Sequence, residues 1–418
     1  MNNVPTYSVV SLTSYLQSCC GSPTRDLSPS VPVRLDSKLL DFRPVRDYKH
    51  YHLYPSVNFP NPNFDSQRLF ELPAKTVPLD VLVPNDSLGR PYLAPALLLY
   101  DKGWLVDHIV FIQDSCVESD GTSEESTAGK SVGSDPGWSL ARKLGVLVHD
   151  GYLCNGVLDQ GHHVLFDPCP SLHRSIAQIE VALGQVKGDK NWMVCDLGCG
   201  SGRDLVWLCT RHWRRSSTTP SPALSDSKSN YPQWYGLGVD AVLGGLRRVR
   251  QLTFQLNSSD NVTLCHGKFH YDGPLRLKSP LDCPDLANPS NSPLSTTITT
   301  EMSTLPTLGT EPIATLQGPF DLVLAIRFLH RPLFSQGQVD RWVAPGGFVL
   351  CSTFVETPEH PNEHPQGPKH RLQPGELAAW FGPTQGYEIW YDEIECIEDG
   401  RHVNSFLARK KLTSSSFS

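Results

Sequence analysis

Residues 192–204 read WMVCDLGCGSGRD: an apolar run, an aspartate, a turn with glycine at alternate positions, and the start of a helical pattern. This segment constrains the fold more than any other. Gly198, Gly200 and Gly202 permit positive φ and let a ligand approach the backbone. The helix that follows presents free N–H groups and a positive dipole end. Open α/β sheets bind ligands at the carboxyl ends of their strands. The segment therefore predicts a cofactor cradle after a first parallel strand, with Asp196 at its edge.

A second strand supports this reading. WYGLGVD (234–240) ends in Asp240, an acidic residue able to accept hydrogen bonds from ribose hydroxyls. In dinucleotide folds such a residue lies about 20 positions past the glycines. Asp240 follows Asp196 by 44 positions, and by 24 once the Ser/Thr/Pro-rich stretch 214–233 is set aside. Further buried strands are expected at Phe320–Ile326 and Gly347–Thr353. Helical patterns lie at Arg203–His212, Leu243–Leu256 and Gly375–Phe381. Strands alternating with helices predict an α/β fold with a mostly parallel sheet.

Composition excludes several classes. The 418 residues carry a net charge of −7, which argues against a protein that binds nucleic acid by charge alone. No apolar run approaches the ~20 residues of a membrane span, and the first twenty residues lack the pattern of a signal peptide. Twelve cysteines are scattered without a CxxC pair. They read as reduced thiols of a cytoplasmic protein, and no metal is expected, because no cysteine pair has ligand spacing. The sequons at Asn257 and Asn261 then carry no meaning. Residues 114–136, 214–233 and 273–318 are poor in aromatic residues and rich in Ser, Pro, Thr or Gly. The first reads as a linker (116–137), and the others as disordered insertions within the second region.

DLGCGSG (196–202) resembles the first motif of the class I S-adenosylmethionine-dependent methyltransferases. It departs from the nicotinamide pattern, since Arg203 stands where a third glycine would be. FDLVLAIRFLHRPLF (320–334) is similar to that family's fourth strand and loop, and APGGFVLCSTFVE (344–356) to its fifth strand. The terminal GYEIWYDEIECIEDGRHVNSFLARKK is similar to its last antiparallel pair. The resemblance covers residues 160–411 and implies a Rossmann-like seven-stranded sheet. It implies S-adenosylmethionine as cofactor, held by Asp196, Gly198, Gly200, Gly202 and Asp240. RFLHRPLF with the later PGEL (374–377) looks like the tellurite-resistance type, which implies a small-molecule acceptor. After the third strand (Val262–Cys265) the family's acidic adenine contact is missing. Asp272 is a weak substitute, and Phe269 could stack on the base instead.

In this fold the loop after the fourth strand faces the transferred methyl group. It offers His330 as a general base and Arg327 and Arg331 as ligands for an anionic acceptor. Glu356 has similar standing. Three rivals remain: an RNA methyltransferase using the Arg-rich segments, among them the basic helix LRRVRQL (246–252), a non-catalytic binding or regulatory protein, and a sulfurtransferase working through some other thiol. The segment 161–172 reads as a lid, and His162 and His163 as surface residues.

The first region, residues 35–115, contains LLDFRPVRDYKHYHLYPSVNFP (39–60). Strand, Asp-x-Arg, Tyr48, His52 and Ser56–Pro60 resemble the rhodanese family, a smaller α/β fold. The position of that family's nucleophilic cysteine is occupied by Asn85, with Arg90 five residues on. An amide forms no persulfide, so sulfurtransferase activity is not expected. Cys116 lies too far along to replace it.

Overall fold

A computed structural model describes residues 7–20, 38–60, 69–85, 91–112, 136–144, 146–149, 152–153, 163–188, 190–211, 232–269, 275–277, 298–301, 313–316, 318–356, 358, 365, 367–397 and 400–412. The chain divides into two compact units, Met1–Phe166 and Asp167–Ser418. No helix among the described residues is long and apolar enough to cross a membrane.

Unit 1 is an α/β fold around five strands in the order β1 (Ser8–Ser11), β6 (Val106–Phe111), β5 (Leu79–Val83), β2 (Lys38–Asp41) and β4 (Ser56–Asn58), with every neighbouring pair parallel. All of β5 is buried, so it reads in sequence as an unbroken apolar run apart from Asp80. The unit exceeds the 35–115 span expected for it. β1 and the helix α1 (Leu12–Cys20) add one edge, and β7 (Leu147–His149) pairs with β3 (Tyr51–Leu53). Apolar residues of α1 and of the helix Pro136–Lys143, among them Leu12, Leu16 and Trp138, share one core. The Asp-x-Arg motif is a buried clamp. Arg43 donates to both Asp41 oxygens, with Nη2 at 2.5 Å, and to Tyr51 O at 2.9 Å. Its guanidinium lies over the Trp138 ring.

Unit 2 holds a ten-stranded sheet. Its centre runs β11 (Val262–Phe269), β10 (Trp234–Asp240), β9 (Trp192–Leu197), β15 (Phe320–Ile326), β16 (Val343–Phe354), and these five are parallel. β18 (His402–Lys410) and β17 (Tyr387–Cys396) complete one side antiparallel. The apolar runs expected to be strands therefore form the sheet's middle, where both faces are covered. In β15 the one acidic residue, Asp321, is fully buried; it accepts from Met193 N at 2.9 Å and pairs with Lys187 Nζ.

The stretch 273–318 differs from its reading as a disordered insertion. Within it Leu275–Leu277, Ile298–Glu301 and Ile313–Leu316 form three short strands that extend the sheet antiparallel beyond β11. The aromatic-poor composition hid them, because a short added strand needs only backbone pairing to an open edge. Stretch 214–233 lies outside the described residues except for positions 232 and 233.

Candidate functional site

Strand order fixes where a ligand can sit. β10 lies on one side of β9 and β15 on the other, so the chain reverses direction of travel across the sheet at β9. Such a switch point opens a crevice at the strands' carboxyl ends. The turn after β9 and the loop after β15 meet there.

The turn is built by its glycines. Gly198, Gly200 and Gly202 have φ of 69, 56 and 74°. A Cβ on Gly198 would stand 2.3 Å from the Phe328 ring, and one on Gly202 2.6 Å from Val249. At Gly200 nothing lies within 4 Å of that position. Two glycines thus serve packing, and the third leaves open space. Asp240 fastens the turn: Gly200 N and Val242 N each donate to one of its carboxylate oxygens at 2.7 Å. Gly245, which the sequence reading passed over, lets the helix Leu243–Gln255 approach; a Cβ there would meet Gly200 O at 2.6 Å.

Charge gathers under the turn. Asp196 is 3% exposed, and no hydrogen-bond donor reaches its carboxylate among the described residues. Burial pushes its pKa well above the ordinary range, and the nearby Asp204 and Asp240 carboxylates add to the rise. Asp204 is raised too, again by burial, although Cys169 N donates to it at 2.5 Å and Arg203 and Arg327 lie close enough to oppose the shift. Sequence reasoning missed Asp204. Its signal was an acidic residue in the first turn of the helix Arg203–Cys209. Cys199, inside the turn, is buried and its thiol is pushed up, first by burial and then by Asp196 and Asp240.

The loop after β15 places the other expected residues. Arg327 has φ of +54°, uncommon outside glycine, and its N–H donates to Ser352 O at 2.7 Å. Phe269, Phe328 and His330 form an aromatic group: Phe269 lies 4.8 Å from Phe328 and 5.7 Å from His330, centroid to centroid. The two candidates for adenine and acceptor are therefore neighbours.

Arg331, expected to bind an acceptor, is held by neighbouring protein groups. Its Nε and Nη2 donate to the two Glu376 oxygens at 2.5 and 2.9 Å. Nη1 donates to Pro368 O and Lys369 O at 3.1 Å, and Nη2 to Arg371 O at 2.7 Å. A guanidinium has five N–H groups, and all are spent on these contacts. Arg331 thereby fastens the loop to the segment 368–376. Glu356 pairs with Arg371 Nη1 at 3.3 Å.

The segment expected to be a lid leads into a fixed layer. The helix Pro170–Lys187 buries Leu172, Ile176, Ile179 and Leu183. Residues just before it are tied to the start of the helix Arg203–Cys209, by Cys169 N to Asp204 and by Arg203 Nη2 to Asp167 O at 3.4 Å. Asp272, Arg90, Cys116 and His162 lie outside the described residues. In unit 1, Asn85 Nδ2 donates to Ile112 O at 2.8 Å, and Asn85 forms a backbone bridge with Pro91.

No family model matches the chain. An uncharacterized protein of Schizosaccharomyces pombe is 28% identical over 399 residues, covering 90% of this chain and 95% of that protein. TehB from Haemophilus influenzae superposes with a TM-score of 0.32 at 14% identity, over 56% of this chain and 62% of TehB, less than two thirds of its length. Magnesium protoporphyrin IX methyltransferase from Synechocystis, solved with S-adenosylmethionine bound, gives a TM-score of 0.31 at 10% identity, over 58% of this chain and 80% of that one. A 1,6-didemethyltoxoflavin-N1-methyltransferase from Burkholderia thailandensis gives 0.31 at 14%, over 58% and 79%. Likenesses this partial assign no activity.

Proposed function

We propose that unit 2 transfers a methyl group from S-adenosylmethionine to a small-molecule acceptor. One observation carries the reading. Asp196 is a buried carboxylate that meets no hydrogen-bond donor among the described residues and has two further carboxylates nearby. A buried charge without a partner is costly, and a cation meeting it removes the cost. S-adenosylmethionine carries an ammonium and a sulfonium, and would supply an electrophilic methyl group.

The chain's own residues fit that ligand. Asp196 takes the cationic methionine end, and the open side of Gly200 admits the ligand to the backbone. Asp240 receives ribose hydroxyls on the lone pairs left over by Gly200 N and Val242 N. Phe269 offers a face to adenine. Alignment of acceptor and methyl group supplies most of the rate gain. Arg327 binds an acidic group of the acceptor, and His330 takes a proton from acceptors that carry one. Arg331 holds that loop in place through Glu376.

Unit 1 we read as a rhodanese-like module with a binding or packing role. Asn85 stands where a thiolate would be required, so sulfur transfer is absent. A reducing, cytoplasmic setting suits the buried thiols.

Transfer of label from methyl-labelled S-adenosylmethionine into a fractionated metabolite extract tests the reading. The expected result is label in a small-molecule fraction with wild-type protein and none with a chain carrying Asp196→Ala and Gly200→Arg. Label in RNA alone, or equal label with both proteins, overturns it.

A further inference from the structure

Unit 1 holds a cluster that neither the rhodanese-like reading nor the methyl-transfer site uses. β5 and β6 fall out of step: Leu79 pairs with Val106, but Val81 pairs with Ile109. Asp107 and His108 therefore both stand opposite Asp80. A bulge of this kind sets two successive residues against one and re-aims their side chains. His108 Nδ1 lies 2.9 Å from Asp80 Oδ1 and 3.6 Å from Asp107 Oδ2. One donor atom from each of the three residues lies within 4.8 Å of the other two.

The spacing matches a small tetrahedral ion. Two ligands about 2.0–2.1 Å from zinc stand roughly 3.3 Å apart. The observed 2.9 and 3.6 Å bracket that value, and the two carboxylates lie within 4.8 Å of each other, so closing the site needs the exposed Asp107 side chain to move inward. The donors are mixed. One imidazole nitrogen with two carboxylates suits zinc or cobalt, whereas calcium and magnesium favour all-oxygen sets. Two carboxylates and a neutral imidazole also balance a divalent charge. Asp80 is almost fully buried, and its second oxygen accepts from the buried Tyr15 hydroxyl at 2.9 Å. Support of this kind orients metal-binding carboxylates. The side chains of His108 and Asp107 are 29% and 56% exposed, which leaves an entry path.

We propose that Asp80, Asp107 and His108 bind a divalent transition ion of the zinc class, with water completing the coordination. The ion takes the neutral His108 tautomer that carries its one proton on Nε2, so that the Nδ1 lone pair faces the ion in place of the Asp80 contact. The site joins two strands through a bulge, so the cysteine spacings that argued against a metal could not show it.

Titrating the full-length, chelator-stripped protein with zinc by calorimetry, and with cobalt by visible absorption, tests the proposal. Asp107→Asn and His108→Gln are the variants, chosen because both side chains reach the surface and Tyr15 still holds Asp80. Wild-type protein is expected to bind zinc, to show four-coordinate cobalt absorption and to melt at a higher temperature with zinc. Each variant is expected to lose at least about tenfold in affinity, together with the melting shift. Zinc affinity and melting unchanged by both substitutions, or no zinc binding at all, overturns the proposal.

Discussion

Arg331 and Glu376 stand 45 residues apart in sequence and share two hydrogen bonds, of 2.5 and 2.9 Å. Burial alone would raise the Glu376 carboxyl, but the Arg331 hydrogen bonds, with Gln373 N, outweigh it, and Glu376 lies below its ordinary value of 4.5. A depressed carboxylate stabilises the fold above its unfolded pKa and loses that contribution as pH falls through the folded value. Solvent screens this partly exposed pair, so Glu376→Gln should cost about 0.5–1 kcal/mol at pH 7 and progressively less as the pH falls below 4.5 towards pH 2. Urea denaturation across that pH range checks both the size and the trend.

Asp196 runs the opposite way. Its pKa is raised, so ionising it destabilises the ligand-free fold as pH climbs above the ordinary carboxylate range of 3.8. Asp196→Asn should stabilise the ligand-free protein by roughly 1–3 kcal/mol at pH 8, while removing cofactor affinity. Thermal denaturation of both proteins without ligand tests the sign.

The glycines of the turn should separate under substitution. Gly198→Ala meets the Phe328 ring and a positive φ together, so a loss of about 2–4 kcal/mol is expected. Gly200→Ala meets only the φ, about 1–2 kcal/mol, and the fold survives. Its methyl group fills the open side of the turn, and S-adenosylmethionine affinity should drop on the order of tenfold or more. Circular dichroism and binding measured on the same samples distinguish the two effects.

In unit 1, Arg43 is buried between Asp41 and the Tyr51 and Trp138 rings. Burial disfavours its charge, but Asp41 more than compensates and the guanidinium is held charged. Arg43→Met strands the Asp41 carboxylate and should cost about 3–5 kcal/mol. Scanning calorimetry of the full chain should show the corresponding transition moved to lower temperature.

Wild-type protein should form no thiocyanate from thiosulfate and cyanide. Asn85 carries an amide that already donates to Ile112 O.

Much of this was legible in residue order. β9, β10 and β15 read correctly because strands buried on both faces are written as apolar runs, and the glycine turn is a local signal. What escaped was non-local. Arg331 looked available because its partner Glu376 comes from the start of a distant helix, Glu376–Phe381. Asp204 gains importance only where Cys169, 35 residues earlier, folds back onto it. The strands in 275–316 depend on the free edge of β11, and the Asp80–His108 cluster on a shift in register.

Calorimetric titration with S-adenosylmethionine at pH 8, on wild-type protein and on Asp196→Asn, tests the central claim most directly. Wild-type protein is expected to bind with micromolar affinity, and the folded, more heat-stable variant not to bind. Equal affinity for both, or no binding to folded wild-type protein, would contradict it.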